Sequence, residues 1–159
     1  MEDVRIKNLS FTKRPISIPA DYRPMYKIAK IVLILKNCCR SECSDLLKSH
    51  LFSWALKSQR NMDKLKEYVT NNFTTEFSVW GIEPALNRAL QFAVAEKICE
   101  LVDGKKYQLT EKGNKFFDLI NKDDELFVEE KAFLKFIGKN KITDKRLQTM
   151  SKQWSLSYA

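Results

Sequence analysis

Hydrophobic residues recur three and four positions apart through most of this chain, and the breaks in that rhythm mark where helices give way to other structure. From Pro24 to about Asn37, Ile28, Ala29, Ile31, Val32, Leu33, Ile34 and Leu35 leave little polar face. A helix that is apolar nearly all round is buried on more than one side, so this one is expected at the centre of a helical bundle, or between the core and a subunit partner. After a turn at 38–42, a second helix is expected from an N-cap at Ser44 to Lys57, with Leu47, His50, Leu51 and Trp54 facing inward. A third, capped by Ser58 or Asn61, turns Leu65, Tyr68 and Val69 inward. The stretch 71–81 reads as loop or locally extended chain. Its Phe73, Phe77, Val79 and Trp80 are too apolar to stay in solvent.

Between Pro84 and Ile120 the period changes twice. Leu86, Ala89, Leu90, Ala93 and Val94 are at helical spacing, and Pro84 suits the first turn, where its missing N–H forfeits no bond. Two short runs, 98–102 and 105–109, then flank Asp103-Gly104, a strong hairpin dipeptide. Thr110 follows as an N-cap, and Phe116, Phe117 and Ile120 open a new helical stripe. Helix, two-stranded hairpin and helix make up the second half of a winged helix, and Tyr107-x-Leu109-Thr110-Glu111-x-Gly113 resembles the wing-to-helix junction of that superfamily. The expected fold class is therefore mainly α with a small β-hairpin: a winged-helix domain over 21–122, an extended N-terminal arm over 1–20 and C-terminal helices over 123–159.

In the arm, Val4, Ile6 and Leu9 are interspersed with charge, and Ile16 and Ile18 alternate between Pro15 and Pro19, which suits an extended conformation. In the tail, Leu126, Ala132, Phe133, Phe136 and Ile137 predict a helix from roughly Asp124 to Gly138. Asp123, Asp124 and Glu125 would lie in its first turn, where the helix dipole favours them. Thr143 is expected to cap a last helix with Leu147, Met150 and Trp154 in line.

The formal net charge is +8, and it is uneven: residues 1–82 hold 14 Lys/Arg against 8 Asp/Glu, and residues 83–159 hold 14 against 12. A basic balance favours acidic partners, nucleic acid included, though a lysine-rich solvated surface gives the same count. The longest aliphatic run, Ile31 to Leu35, is far short of the roughly 20 residues of a membrane span, and the charged opening MEDVRIKN lacks an apolar signal region. A cytoplasmic protein is expected.

Chemistry-bearing patterns are sparse. Four glycines, at 81, 104, 113 and 138, form neither a phosphate loop nor a dinucleotide fingerprint. Cys38, Cys39 and Cys43 with His50 do not have the spacing of a zinc knuckle, and reduced thiols at a helix end are the simpler reading. The single histidine lies on an apolar face, as a core histidine does. No catalytic residue, cofactor, metal or small-molecule substrate is expected.

DNA contact remains open. The helix before the hairpin offers Asn87, Arg88 and Gln91, side-chain types that reach base edges, but its charges cancel over 83–97. Arg88, the wing-tip Lys105 and Lys106, and Lys145 and Arg146 of the last helix are the candidates for double-stranded DNA, and a winged-helix DNA-binding transcriptional regulator is one reading.

A second reading comes from a resemblance. Tyr22-Arg23-Pro24-Met25-Tyr26-Lys27-Ile28-Ala29, the aliphatic block to Leu35 and Leu51-Phe52-x-Trp54-Ala55-Leu56-Lys57-Ser58 resemble the middle component of bacterial ABC-three-component systems, in particular the small-subunit (LmuC) family of Lamassu-type anti-phage defence. The likeness covers roughly residues 15–120. It implies a non-enzymatic adaptor that links an SMC-like ABC ATPase to an effector nuclease, with the ATP site and the cutting site on those partners. Arg23, Met25, Tyr26 and Trp54 fall within the matching run and are the candidate partner-binding residues.

Overall fold

The computed structural model describes residues 19–75 and 81–157, with side chains to Lys152. The chain is mainly helical with a small three-stranded antiparallel sheet. The helices are α1 (Pro24–Cys38), α2 (Leu46–Ala55), α3 (Gln59–Thr70), α4 (Pro84–Ala95), α5 (Glu111–Lys122), α6 (Val128–Ile137) and α7 (Asp144–Ser157). The strands are β1 (Cys43–Asp45), β2 (Cys99–Val102) and β3 (Lys106–Leu109).

Helix α1 is the hub, as its all-round apolarity predicts. Every residue from Lys27 to Leu35 is buried, and α1 packs against α2, α4, α5 and α6. Phe52, Leu65, Leu86, Leu90, Phe133 and Leu134 close the core around it, and Ile142, Leu147 and Met150 extend the same core into the C-terminal helices.

Local chemistry sets the ends of the elements around the sheet. Helix α4 stops because Lys97 adopts the left-handed region (φ 57°). Lys97 N–H then donates to the Val94 carbonyl at 3.0 Å and Ile98 N–H to that of Ala93 at 2.8 Å. This is a Schellman closure, and it aims the chain into β2. Asp103 (φ 52°) and Gly104 (φ 64°) make the tight turn to β3, a conformation that favours Asp-Gly. Thr110 caps α5, its Oγ1 accepting from Gly113 N–H at 3.1 Å. β3 lies in the middle of the sheet, pairing with β2 on one edge and β1 on the other.

Three expectations need correction. The turn after α1 continues into β1, and the cap of α2 is Asp45, which accepts from Lys48 N–H at 2.8 Å, rather than Ser44. The acidic run does not open α6: Asp123 Oδ1 accepts from Glu125 and Leu126 N–H at 3.0 and 3.2 Å, and the helix begins only at Val128. In α6 the buried stripe is Phe133, Leu134 and Ile137, while Ala132 and Phe136 face outward. The arm residues Val4 to Ile18, the apolar residues Phe77, Val79 and Trp80, and the Trp154 side chain lie outside the described residues. Among the described residues no helix is long and apolar enough to cross a membrane.

Candidate functional site

Two helix starts, each with proline at the first helical position, meet over a polar cluster. Pro24 opens α1 and Pro84 opens α4. Between them Lys27, only 1% exposed, holds Asp21 Oδ1 at 2.8 Å and Glu83 Oε1 at 2.9 Å. Ser53 donates to Glu83 Oε2 at 2.8 Å, and the Lys57 ammonium stands 3.4 Å from Oε1. Lys30 donates to the Leu56 carbonyl at 2.7 Å and lies over the Tyr26 ring. A buried charge is tolerated when it is paired and hydrogen-bonded, and Lys27, Lys30 and Glu83 each have both. Burial raises the Asp21 carboxyl, but the hydrogen bond and charge of Lys27, helped by Lys30, outweigh it and hold the group below its usual range. Burial pulls Lys30 below the ordinary lysine range against the opposing charge of Asp21.

His50 ties this cluster to α4. Glu83 N–H donates to His50 Nδ1 at 3.2 Å, which places the ring proton on Nε2, and Nε2 donates to Asn87 Oδ1 at 3.1 Å. Burial lowers its pKa despite the hydrogen bond to Asn87. Both ring nitrogens are engaged in holding the start of α4, so His50 is a satisfied core histidine. Cys38, Cys39 and Cys99 are buried thiols. Burial pushes Cys39 up to about 11 and Cys99 to about 12, far from a reactive thiolate. Among the described residues no group of three His, Cys, Asp or Glu side chains is arranged to hold a metal ion.

The candidate partner residues fall in two places. Arg23 and Trp54 line one cleft with Lys57 and Arg88. Met25 lines a separate groove, and Tyr26 turns inward onto the Phe127 ring at 5.1 Å. The candidate DNA residues are also dispersed. Arg88 belongs to the first cleft and Lys106 to a cavity beside β1, while Lys105 is exposed at the hairpin turn. Lys145 and Arg146 flank Phe73 and Tyr68, where Arg146 lies over the Phe73 ring and donates to the Lys141 carbonyl.

The groove holding Met25 is lined mainly by apolar side chains. It has a volume of about 610 Å³ and runs between the start of α1, the end of α4 and α5. Met25 is 57% exposed, Phe92 45% and Leu119 67%, with Phe116 half-buried at the floor and Lys112 and Lys115 on the rim. Clustered exposed apolar side chains mark binding surfaces, where scattered ones do not. Phe92 and Leu119 were not legible as site residues from the helical stripes alone. Each stands one place before a stripe residue (Ala93 and Ile120), and a large apolar side chain displaced from the buried stripe is the signal they carry. No protein-family model, curated protein or solved structure matches this chain.

Proposed function

We propose that this chain is a non-enzymatic docking subunit built on a winged-helix frame, and that the groove of Met25, Phe92, Phe116 and Leu119 is its docking face. The order of elements supports the frame: helix, short strand, helix, then α4 leading into a hairpin, with strand order β1-β3-β2. On this reading α3 is an insertion between the second and third helices of the motif.

The solvent face of α4 carries the functional reading. In a DNA-binding winged helix this is the element that enters the groove, and such an element sets several cations against phosphates. Here Phe92 and Ala95 are exposed on α4, and Arg88 is the one charged residue in Pro84–Ala95. Exposed aromatic and methionine side chains are what protein partners bury. The resemblance at Arg23–Ser58 supplies the class of partner: an SMC-like ABC ATPase of an anti-phage complex, with an effector nuclease in the same assembly.

Co-expression of the tagged full chain with the ABC ATPase encoded beside it, followed by mass determination of the intact complex, tests this. Phe92→Glu and Leu119→Glu are expected to weaken the complex about tenfold or more with the fold retained. A complex that survives both substitutions removes the groove from the reading. Failure of the wild-type chain to form any complex, together with sequence-selective duplex binding that Arg88→Glu abolishes, replaces it with a transcriptional regulator.

A further inference from the structure

A cavity of about 550 Å³ lies where the turn after α1, the start of α2, the β-hairpin and the α6–α7 connection meet, and it shares no residue with the docking groove. Four cations line it, Arg40, Lys48, Lys106 and Lys139, against two carboxylates, Asp103 and Asp144. Lys48 is the unusual member. Its side chain is 5% exposed, and its one ionic contact among the described residues is with Asp144 at 3.5 Å, a carboxylate that is itself 61% exposed. An ammonium has three donors, and a buried one left this lightly satisfied is costly unless something else meets it. Lys27 and Lys30, equally buried on the neighbouring helix, have several close partners each. Lys106 and Lys139 are exposed at the same cavity and have no ion pair among the described residues.

We propose that this cavity binds a small phosphate-bearing anion of the inorganic phosphate or oligophosphate class. The anion takes the Lys48 ammonium at its inner end and Arg40, Lys106 and Lys139 at its mouth. Its volume is in the range of small-molecule sites. Among the described residues no aromatic side chain lines it to stack a nucleobase, and charged side chains make up more than half of the lining, so recognition rests on charge. A duplex presents its phosphates on a broad rigid surface and cannot deliver one to a side chain this deeply buried. Asp144 is the resident competitor for Lys48, and the incoming anion displaces it.

Calorimetric titration of the full chain with pyrophosphate and inorganic phosphate, beside a 20-base-pair duplex, tests the assignment. Pyrophosphate is expected to bind, and Lys48→Met, which keeps the side-chain volume, is expected to weaken it about tenfold or more, the loss of a charge-assisted hydrogen bond. Lys106→Gln and Lys139→Gln, at exposed positions that leave the fold intact, each cost about two- to fivefold. Asp144→Asn, which frees the ammonium, tightens binding. The proposal is overturned if neither phosphate ligand binds at millimolar concentration, if binding is indifferent to the Lys106 and Lys139 substitutions, or if the duplex binds while pyrophosphate does not.

Discussion

Gly113 stands in the first turn of α5, where ordinary helix propensity argues for replacing it. Alanine in a helix interior is favoured over glycine by about 1 kcal/mol. Tertiary structure argues the other way. A Cβ on Gly113 would lie 2.2 Å from the Ile98 carbonyl oxygen and 2.9 Å from Leu109 Cδ2. An ordinary carbon–oxygen contact is roughly 1 Å longer than the first of these, the separation at which dispersion is favourable. The Ile98 carbonyl cannot retreat freely, because it accepts from Thr110 N–H at 3.1 Å and from Thr110 Oγ1 at 3.1 Å. Moving α5 instead disturbs the Thr110 cap on Gly113 N–H. The clash therefore costs about 3 kcal/mol, the upper end of the overpacking range. Setting the propensity gain against it leaves Gly113→Ala destabilised by about 2 kcal/mol. For a chain of this size that lowers the melting temperature by about 4–8 °C. Urea denaturation and thermal melting read this directly, with Lys115→Gly on the same helix as the control that loses about 1 kcal/mol from propensity together with its exposed ion pair to Glu111. A Gly113→Ala protein as stable as wild type would refute the claim that α5 is seated on the β2 strand start through this glycine.

Two further predictions follow from the buried polar cluster. The folded state keeps His50 below its ordinary value of 6.5, so the unfolded chain takes up the proton first. The stability this histidine contributes is thus complete above about pH 6.5 and declines as pH falls below it. The urea midpoint should fall between pH 7.5 and 5.5 in the wild type and fall less in His50→Gln; equal slopes in the two proteins would exclude His50 as the cause. Replacing Lys27 by methionine leaves Asp21 and Glu83 without their shared cation and is expected to cost about 3 kcal/mol or more, with Lys27→Met/Glu83→Gln recovering part of the loss. Additive losses in that double-mutant cycle would mean that the 2.9 Å contact carries no coupling.

Much of the fold was legible in local pattern. The all-round apolarity of α1, the Asp103-Gly104 turn, the Thr110 and Ser58 caps and Pro84 at the first helical position all act through neighbours within a few residues, so their outcome is written in short windows. Strand β1 was not legible. Three residues, Cys43–Asp45, are too few to show alternation, and they become a strand because β3 offers them a free edge. The start of α6 was misplaced for a related reason. Acidic residues suit a helix start and an Asx turn equally, and here Asp123 spends its carboxylate on the turn while Phe127 enters the left-handed region (φ 55°) and buries its ring in the core.

The candidate sites divide along the same line. By itself the sequence determined that α1 is central, that a hairpin follows α4 and that α4 is poor in charge, because composition and period need no partner to take effect. Only the tertiary structure decided which charges are buried. Lys27 and Lys48 look like any surface lysine in one dimension, and their state depends on Glu83, 56 residues from Lys27, and on Asp144. It likewise decided that Met25, Phe92 and Leu119, from three different helices, form one groove. A contact between residues distant along the chain leaves no periodic trace in either segment, since each keeps the local preferences of its own helix.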